Sequence, residues 1–193
     1  FSALTLGDTG KKERLTVKMF KWIVVLLILA GIGFGAYIYN KGTLAKYGSE
    51  GTFESTVGLL DPQTDNPLPN TPFYLVIIKD SETDPAFKKP LFGVTDDQGR
   101  AARIVSRTQL SPSDYVLVQK VGTGEYGKYF ALLGAGNPIP VPKGSYMLSG
   151  CPDTPEYKGI SNKQGYTVFY ASKQPCNVKL SIDWSGTLDN LLK

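Results

Sequence analysis

Residues 176–184 read CNVKLSIDW, and apolar and polar side chains alternate along this stretch. Cys176, Val178, Leu180, Ile182 and Trp184 share one side, so the period of two predicts a β-strand with one buried face. Eight other short runs rich in β-branched and aromatic residues are separated by Pro, Gly, Asn and Asp. These runs are 52–58, 73–79, 91–94, 101–105, 115–121, 129–133, 145–149 and 165–171. Regular short strands with turn residues between them predict an all-β sandwich or barrel.

The predicted strands define one domain, residues 52–193, which is long enough for a single core. Residues 41–51 contain charged residues and several Gly, which predicts a linker. The Pro-rich stretch 134–143 is expected to cross between sheets or to form an extended edge. Residues 185–193 are the one part of the domain expected to add a helical turn. We expect the core to include Phe53, Val57, Tyr74, Val76, Ile78, Ile104, Val116 and Val118.

An uncharged stretch, residues 22–40 (WIVVLLILAGIGFGAYIYN), precedes this domain. As a helix it spans about 28 Å, close to the hydrocarbon thickness of a bilayer, which favours a transmembrane helix over a buried core helix. Gly31 and Gly35 form a G-x-x-x-G pattern that would allow homodimerisation through this helix. Small residues are also common in membrane helices that make no such contact.

The charges are distributed unevenly about this stretch. The chain carries a net charge of +4, of which residues 1–21 contribute +3 and residues 40–193 only +1. The positive-inside rule therefore places the N-terminus in the cytoplasm and the domain on the other side of a membrane that the chain crosses once. The apolar stretch is longer than a signal-peptide core and no A-x-A site follows it, which favours an uncleaved anchor. Because Met19 lies only three residues before Trp22, where this stretch begins, we also expect residues 1–18 to be a gene-call extension.

The chain contains no His and only two Cys. The absence of imidazole excludes Ser-His-Asp and Cys-His nucleophiles and His-ligated zinc or haem. The domain is nearly neutral, which gives no support for a nucleic-acid surface. In an oxidising compartment Cys151 and Cys176 are expected to form a structural disulfide. We therefore predict a protein that is not an enzyme and uses no cofactor or metal.

A glycine-rich segment at 122–128 (GTGEYGK) matches two phosphate-binding patterns. Both patterns require a helix whose N-terminal amides face the phosphate, and a P-loop requires Ser or Thr where this chain has Tyr129. A strand is predicted to follow instead. The segment is therefore interpreted as a β-turn.

Two further groups of residues suggest chemistry. Asp80, Glu82 and Asp84 lie in one loop and could form a weak Ca²⁺ site. Ser/Lys hydrolases need no His, and this chain offers two such pairs. The pairs are Ser161 with Lys163 and Ser172 with Lys173, but neither matches S-x-x-K.

A resemblance to a known family is carried by residues 55–121. The stretches STVGLLDPQTDNPLPNTPFYLVI, LFGVTDDQGRAARIV and SDYVLVQKV resemble transthyretin-like (prealbumin-like, Cna-B-like) β-sandwich modules. The matching positions are Asp61, Pro67, Leu68, Tyr74, Gly93, Thr95, Asp96, Gly99 and Arg100. Thr95, Asp96, Gly99 and Arg100 form the turn motif, which is predicted to be a hairpin with Asp capping backbone amides and Gly at positive φ.

The resemblance implies an antiparallel β-sandwich used for protein–protein or structural contacts in the bacterial envelope. Similar modules with G-V-T-D-x-x-G-R are attached to proteins of type VI secretion. Cna-B modules often carry a Lys–Asn isopeptide bond, but the residues that it requires cannot be placed in this chain.

The segment 157–170 (YKGISNKQGYTVFY) is rich in Tyr, Asn, Gln and Lys, which are frequent in contact surfaces. The candidate binding surface is therefore formed by Tyr157, Lys158, Asn162, Lys163, Gln164, Tyr166 and Tyr170. Ordinary packing of alternate aromatics inside a sandwich is the competing explanation. The expected function is binding of another envelope or secreted protein in a secretion or toxin–immunity system, and the alternatives are a periplasmic glycan-binding protein or a Ser/Lys-type hydrolase.

Overall fold

The computed structural model describes residues 44–79, 84–134 and 139–191. The predicted membrane helix with Gly31 and Gly35, and the basic segment with Met19, lie outside the described residues. Of the described helices, none is long and apolar enough to cross a membrane.

The described part of the chain is mostly β-sheet, which confirms the predicted all-β class. Its strands are β1 (Ala45–Tyr47), β2 (Phe53–Gly58), β3 (Pro72–Ile77), β4 (Leu91–Val94), β5 (Arg100–Ser106), β6 (Tyr115–Val121), β7 (Tyr126–Lys128), β8 (Ser145–Ser149), β9 (Tyr157–Ile160), β10 (Phe169–Ser172) and β11 (Lys179–Asp183). Two 3₁₀ turns, Pro85–Lys88 and Pro112–Asp114, and one α-helix, Trp184–Leu191, complete the described elements.

These strands form three sheets. Sheet I has the order β1-β5-β2, sheet II the order β4-β3-β6-β10-β7, and sheet III the order β11-β8-β9. Most neighbours are antiparallel, but β1 runs parallel to β5 and β10 runs parallel to β6. The topology is therefore mixed at two positions and is not the purely antiparallel sandwich that was predicted.

Sheet I covers one face of sheet II. Side chains alternate along β3, so that Phe73 and Leu75 pack in one core with Ile104 of β5 and Tyr47 of β1. Phe73, Leu75 and Ile104 have no exposed surface. This core joins the first two sheets.

The opposite face of sheet II carries an aromatic cluster. Tyr74 and Phe169 stack with ring centroids 4.2 Å apart, and Phe92 meets Tyr74 edge-on at 5.4 Å. Tyr74 pairs across the sheet with Val118, which is buried. The cluster therefore closes this face over β6 and links β3, β4 and β10.

A third core lies between sheet III and β10. It includes Leu148 of β8 and Tyr170 of β10, both fully buried, and the disulfide between Cys151 and Cys176 lies at its margin. The Cα atoms of these cysteines are 5.2 Å apart, within the ordinary range for a disulfide. The predicted cysteine pair is therefore present, and it ties the end of β8 to the segment that leads into β11.

Several predicted boundaries are wrong. Residues 129–133 pair only through isolated bridges such as Ala131 with Tyr166, and the regular strand is β7 at 126–128. β1 lies inside the predicted linker, and β9 was not predicted at all. Both are short, with three and four residues, so local periodicity carries little signal for them.

Four expected core or inner-face positions are exposed. Phe53 and Ile78 are 45% and 42% exposed, because one begins an edge strand and the other directly follows β3. Ile182 and Trp184, on the predicted inner face of the last strand, are 36% and 54% exposed, and Trp184 begins the helix. The other expected core residues are buried or partly buried.

Candidate functional site

Residues 95–100 carry the chain from sheet II to sheet I. β4 and β5 belong to different sheets, so this turn is a corner between sheets and not the predicted hairpin. Asp96 Oδ1 accepts the N–H groups of Gln98 at 2.9 Å and of Arg100 at 2.8 Å, and its Oδ2 accepts from Arg100 Nε at 2.7 Å. Gly99 has a φ of 75°, which favours glycine. The capping Asp and the left-handed Gly of the prediction are both observed.

The same corner holds residues 67–71 in place. Thr95 is buried, its hydroxyl donates to the carbonyl of Leu68, and it accepts the N–H of Thr71 at 2.9 Å. A Cβ atom on Gly99 would lie 2.7 Å from Cβ of Pro67, closer than real contacts allow. Residues 95–99 of the turn therefore pack against Pro67 and Leu68, and this contact positions the loop between β2 and β3.

Two clefts with volumes of about 280 and 320 Å³ lie between this loop and residues 157–168. Both are lined by Leu60, Asp61, Pro62 and Asn162, so they form one surface, which we call the loop groove. β6 contributes side chains to both clefts. The wall from residues 60–65 was not predicted as a site, because the sequence marks it only as a turn-rich loop and does not show what it faces.

Asp61 stabilises the first wall of the loop groove. Its Oδ1 accepts the N–H of Gln63 at 2.9 Å and both the N–H and the hydroxyl of Thr64, at 2.8 and 3.0 Å. The backbone hydrogen bond from Thr64 is the main reason that the pKa of Asp61 lies below its usual range. Asp61 is therefore an anion at neutral pH within the loop groove.

The second wall is the tight turn between β9 and β10. Asn162 Oδ1 accepts the N–H groups of Gln164 at 3.0 Å and of Tyr166 at 2.9 Å, and Gly165 has a φ of 78°. This network explains why an Asn and a Gly stand in the turn. It presents the intervening side chains toward the groove.

Two contacts connect the turn to other loops. Lys163 Nζ lies 3.0 Å from Asp65 Oδ2 of the first wall, and the Gln164 side chain donates to the carbonyl of Pro112. The side chain of Lys163 remains 69% exposed, so the ion pair contributes little stability. It instead places one positive and one negative charge at the rim of the groove.

Five residues of the predicted binding surface are brought together here. Tyr157 and Tyr166 line the smaller cleft, Lys163 and Gln164 the larger one, and Asn162 both. Tyr157 is half-buried, and burial together with the nearby Asp61 carboxylate raises its pKa, so its hydroxyl stays protonated. The groove therefore offers amide and hydroxyl groups next to apolar side chains.

The other two residues of the predicted surface lie elsewhere. Lys158 is exposed on β9 and lines neither cleft. Tyr170 has no exposed surface, and its hydroxyl donates to the carbonyl of Thr154 at 2.6 Å. Its inclusion in the binding surface was wrong, because alternation along β10 turns it into the third core.

Neither serine of the two Ser/Lys pairs has an exposed hydroxyl. Ser161 is fully buried and donates to the carbonyl of Val141 at 2.6 Å. Ser172 is also fully buried and donates to Asp153 Oδ1 at 2.6 Å, while the backbone N–H of Lys173 donates to Asp153 Oδ2. Both hydroxyls serve the packing of loops.

Of the suggested Ca²⁺ ligands, Asp80 and Glu82 lie outside the described residues, and Asp84 is occupied by hydrogen bonds from the protein. The described residues include no group of three or more acidic or Cys side chains placed to hold a metal.

In the segment 122–128, residues 122–125 form a bend, with Gly122 and Gly124 each at a φ of 88°, and β7 rather than a helix follows.

No protein-family model matches the chain, and no curated protein or solved structure is significantly similar to it. The interpretation of the loop groove therefore rests on its own residues.

Proposed function

We propose that this chain is a non-catalytic protein-binding module of the bacterial envelope. Residues 22–40 anchor it in the inner membrane, and the β-sheet domain lies in the periplasm and engages an envelope or secreted protein. The observation that carries the proposal is the loop groove, where five residues of a Tyr-, Asn- and Lys-rich segment meet the loop around Asp61.

The composition of the groove favours a polypeptide partner. Its lining combines apolar side chains such as Leu60 and Ile160 with the hydroxyl of Tyr157 and the amide of Asn162. Protein interfaces commonly pair an aromatic and apolar centre with polar groups at the rim. Burial of Ser161 and Ser172 favours this function over a Ser/Lys hydrolase.

We assign the domain to transthyretin-like modules, on the motif shared by residues 55–121 and on the packing of Thr95 and Gly99 against Leu68 and Pro67. Modules with the G-V-T-D-x-x-G-R motif are attached to proteins of type VI secretion, and this favours a role in a secretion or toxin–immunity system. Gene neighbourhood distinguishes these roles, because a toxin gene directly upstream favours immunity and a run of machine genes favours a subunit.

The test is capture of partners by the full chain extracted in detergent, followed by quantitative mass spectrometry. Lys163→Glu reverses a charge at the rim, and Gln63→Arg places a bulky cation at an exposed position of the first wall. Lys179→Glu on β11 is the matched control, because Lys179 is also an exposed lysine but lines neither cleft.

We expect the wild-type chain and the control to enrich the same partner protein. Both groove variants should capture at least about tenfold less of it, which corresponds to a loss of about 1.4 kcal/mol in binding free energy. Equal capture by all four chains would contradict the proposal. Binding of purified glycan strands that both groove variants abolish would instead support the glycan-binding alternative.

A further inference from the structure

β2 has the longest open edge in the described part of the structure. The sheet margins are formed by β1, β2, β4, β7, β9 and β11, and β2 has six residues where the others have three to five. Residues 53–56 are all exposed, and β2 contains no Pro. The backbone groups of such an edge can pair with another extended chain.

We propose that β2 pairs antiparallel with β2 of a second copy of this chain, about a two-fold axis that passes through Ser55. Ser55 then lies opposite Ser55 of the second copy. Phe53 lies opposite Val57 of the second copy, and Glu54 opposite its Thr56. The two copies of sheet I become one six-stranded sheet, through an interface in which both copies use the same residues.

The apolar side chains of β2 favour this register. Phe53 is on the same side of the strand as buried Val57, because residues four apart share a face, yet Phe53 is 45% exposed. Pairing about Ser55 places Val57 of the second copy directly beside Phe53. An axis at Thr56 would leave Phe53 without a partner and place Glu54 opposite Gly58.

The charges on the other side of β2 are also complementary. Arg103 Nη1 lies 3.6 Å from Glu54 Oε2, and Arg103 pairs with Thr56 in the β2–β5 register. Because Glu54 would face Thr56 of the second copy, it would also approach Arg103 of the second copy. Positive and negative side chains then alternate across the axis, and no like charges are directly opposed.

The direct test is disulfide crosslinking of the full chain in detergent. The described structure has no free cysteine, so Ser55→Cys adds a single thiol at an exposed position. Directly opposed Cβ atoms are about 4.5–5.5 Å apart, whereas diagonal neighbours are farther apart, at about 7–8 Å between residues. We therefore expect Ser55→Cys to give at least about fivefold more covalent dimer than the control Thr56→Cys, whose two copies are diagonal.

A second variant tests the same interface without oxidation. Ser55→Lys opposes two cations at the axis and should weaken dimerisation at least about tenfold in sedimentation equilibrium. Ser181→Lys on β11, also exposed, should leave it unchanged. Three results would overturn the proposal: equal crosslinking of the two cysteine variants, a dimer insensitive to Ser55→Lys, or a monomer at all concentrations. A dimer held only through residues 22–40 would give the first two of these results.

Discussion

Asp84 is a buried carboxylate that connects two distant parts of the chain. It accepts the N–H groups of Ser49 at 2.6 Å, Glu50 at 3.0 Å and Ala86 at 2.8 Å, and it is 1% exposed. Burial alone would raise its pKa, but these hydrogen bonds outweigh burial and lower the pKa to about 2. The sequence shows an acidic loop here, whereas the structure shows a charge that joins the end of β1 to a 3₁₀ turn.

We predict that Asp84→Asn lowers the free energy of unfolding at pH 7 by at least about 2 kcal/mol, because three backbone N–H groups lose a charged acceptor. The folded pKa lies below the unfolded value of 3.8, so this stabilisation is complete above about pH 4 and is lost as the pH falls toward about 2. Urea titrations of both chains between pH 7 and pH 2 measure this.

The difference between wild type and Asp84→Asn should therefore shrink below pH 4. Glu125→Gln, at an exposed position in the bend before β7, is the matched control and should have almost no effect. A difference that is the same at pH 7 and pH 2 would show that the Asp84 charge does not contribute.

Among the elements, β3, β6 and β10 depend on the aromatic cluster that covers one face of sheet II. Phe169 is 5% exposed, stacks on Tyr74, and lies 5.7 Å from the ring of Phe92. Because β10 joins β6 through only two parallel residue pairs, side-chain contacts must provide much of its attachment. The cluster therefore adds side-chain contacts between β3, β4 and β10 to the backbone pairing of sheet II.

We predict that Phe169→Ala lowers the free energy of unfolding by about 3–5 kcal/mol, since it removes a buried ring and leaves a cavity. Tyr126→Ala on the neighbouring β7 is the control, because Tyr126 is 54% exposed and should cost less than about 0.5 kcal/mol. Urea unfolding followed by fluorescence measures both, and equal losses would contradict the packing described.

The strands differ in how well sequence alone predicted them. β4, β6 and β8 were predicted with their observed bounds, because each is a continuous run flanked by turn residues. β1 and β9 were missed, since each is short and contains a Lys, so neither is a continuous apolar run. Five of the seven residues proposed from the composition of segment 157–170 line the loop groove, but the facing wall at Asp61 was not proposed, because no local pattern shows which loops meet.

For the molecule as a whole, the disulfide connects stability with location. Cys151 and Cys176 are 25 residues apart, and closing a loop of this size stabilises the folded state by about 3 kcal/mol in the chain-entropy model. Such bonds persist in oxidising compartments and are rare in the cytosol. The bond therefore agrees with the proposed periplasmic location.

We predict that thiol trapping in intact bacterial cells finds both cysteines blocked before reduction and both reactive after it. A chain lacking residues 22–40 and retained in the cytoplasm is the control, and its cysteines should react without reduction. Reactive cysteines in the anchored chain would contradict the periplasmic location.

The sequence by itself determined the all-β class, the cysteine pair and the chemistry of the turn at 95–100, because these follow from local alternation, from having only two cysteines, and from the backbone preferences of Asp and Gly. Only the tertiary structure decided that this turn is a corner between sheets, that Tyr170 is buried while Phe53 is exposed, and that Asp61 faces Asn162. Those properties depend on which strands pair and where the sheets end, and pairing between distant segments leaves no period in the chain.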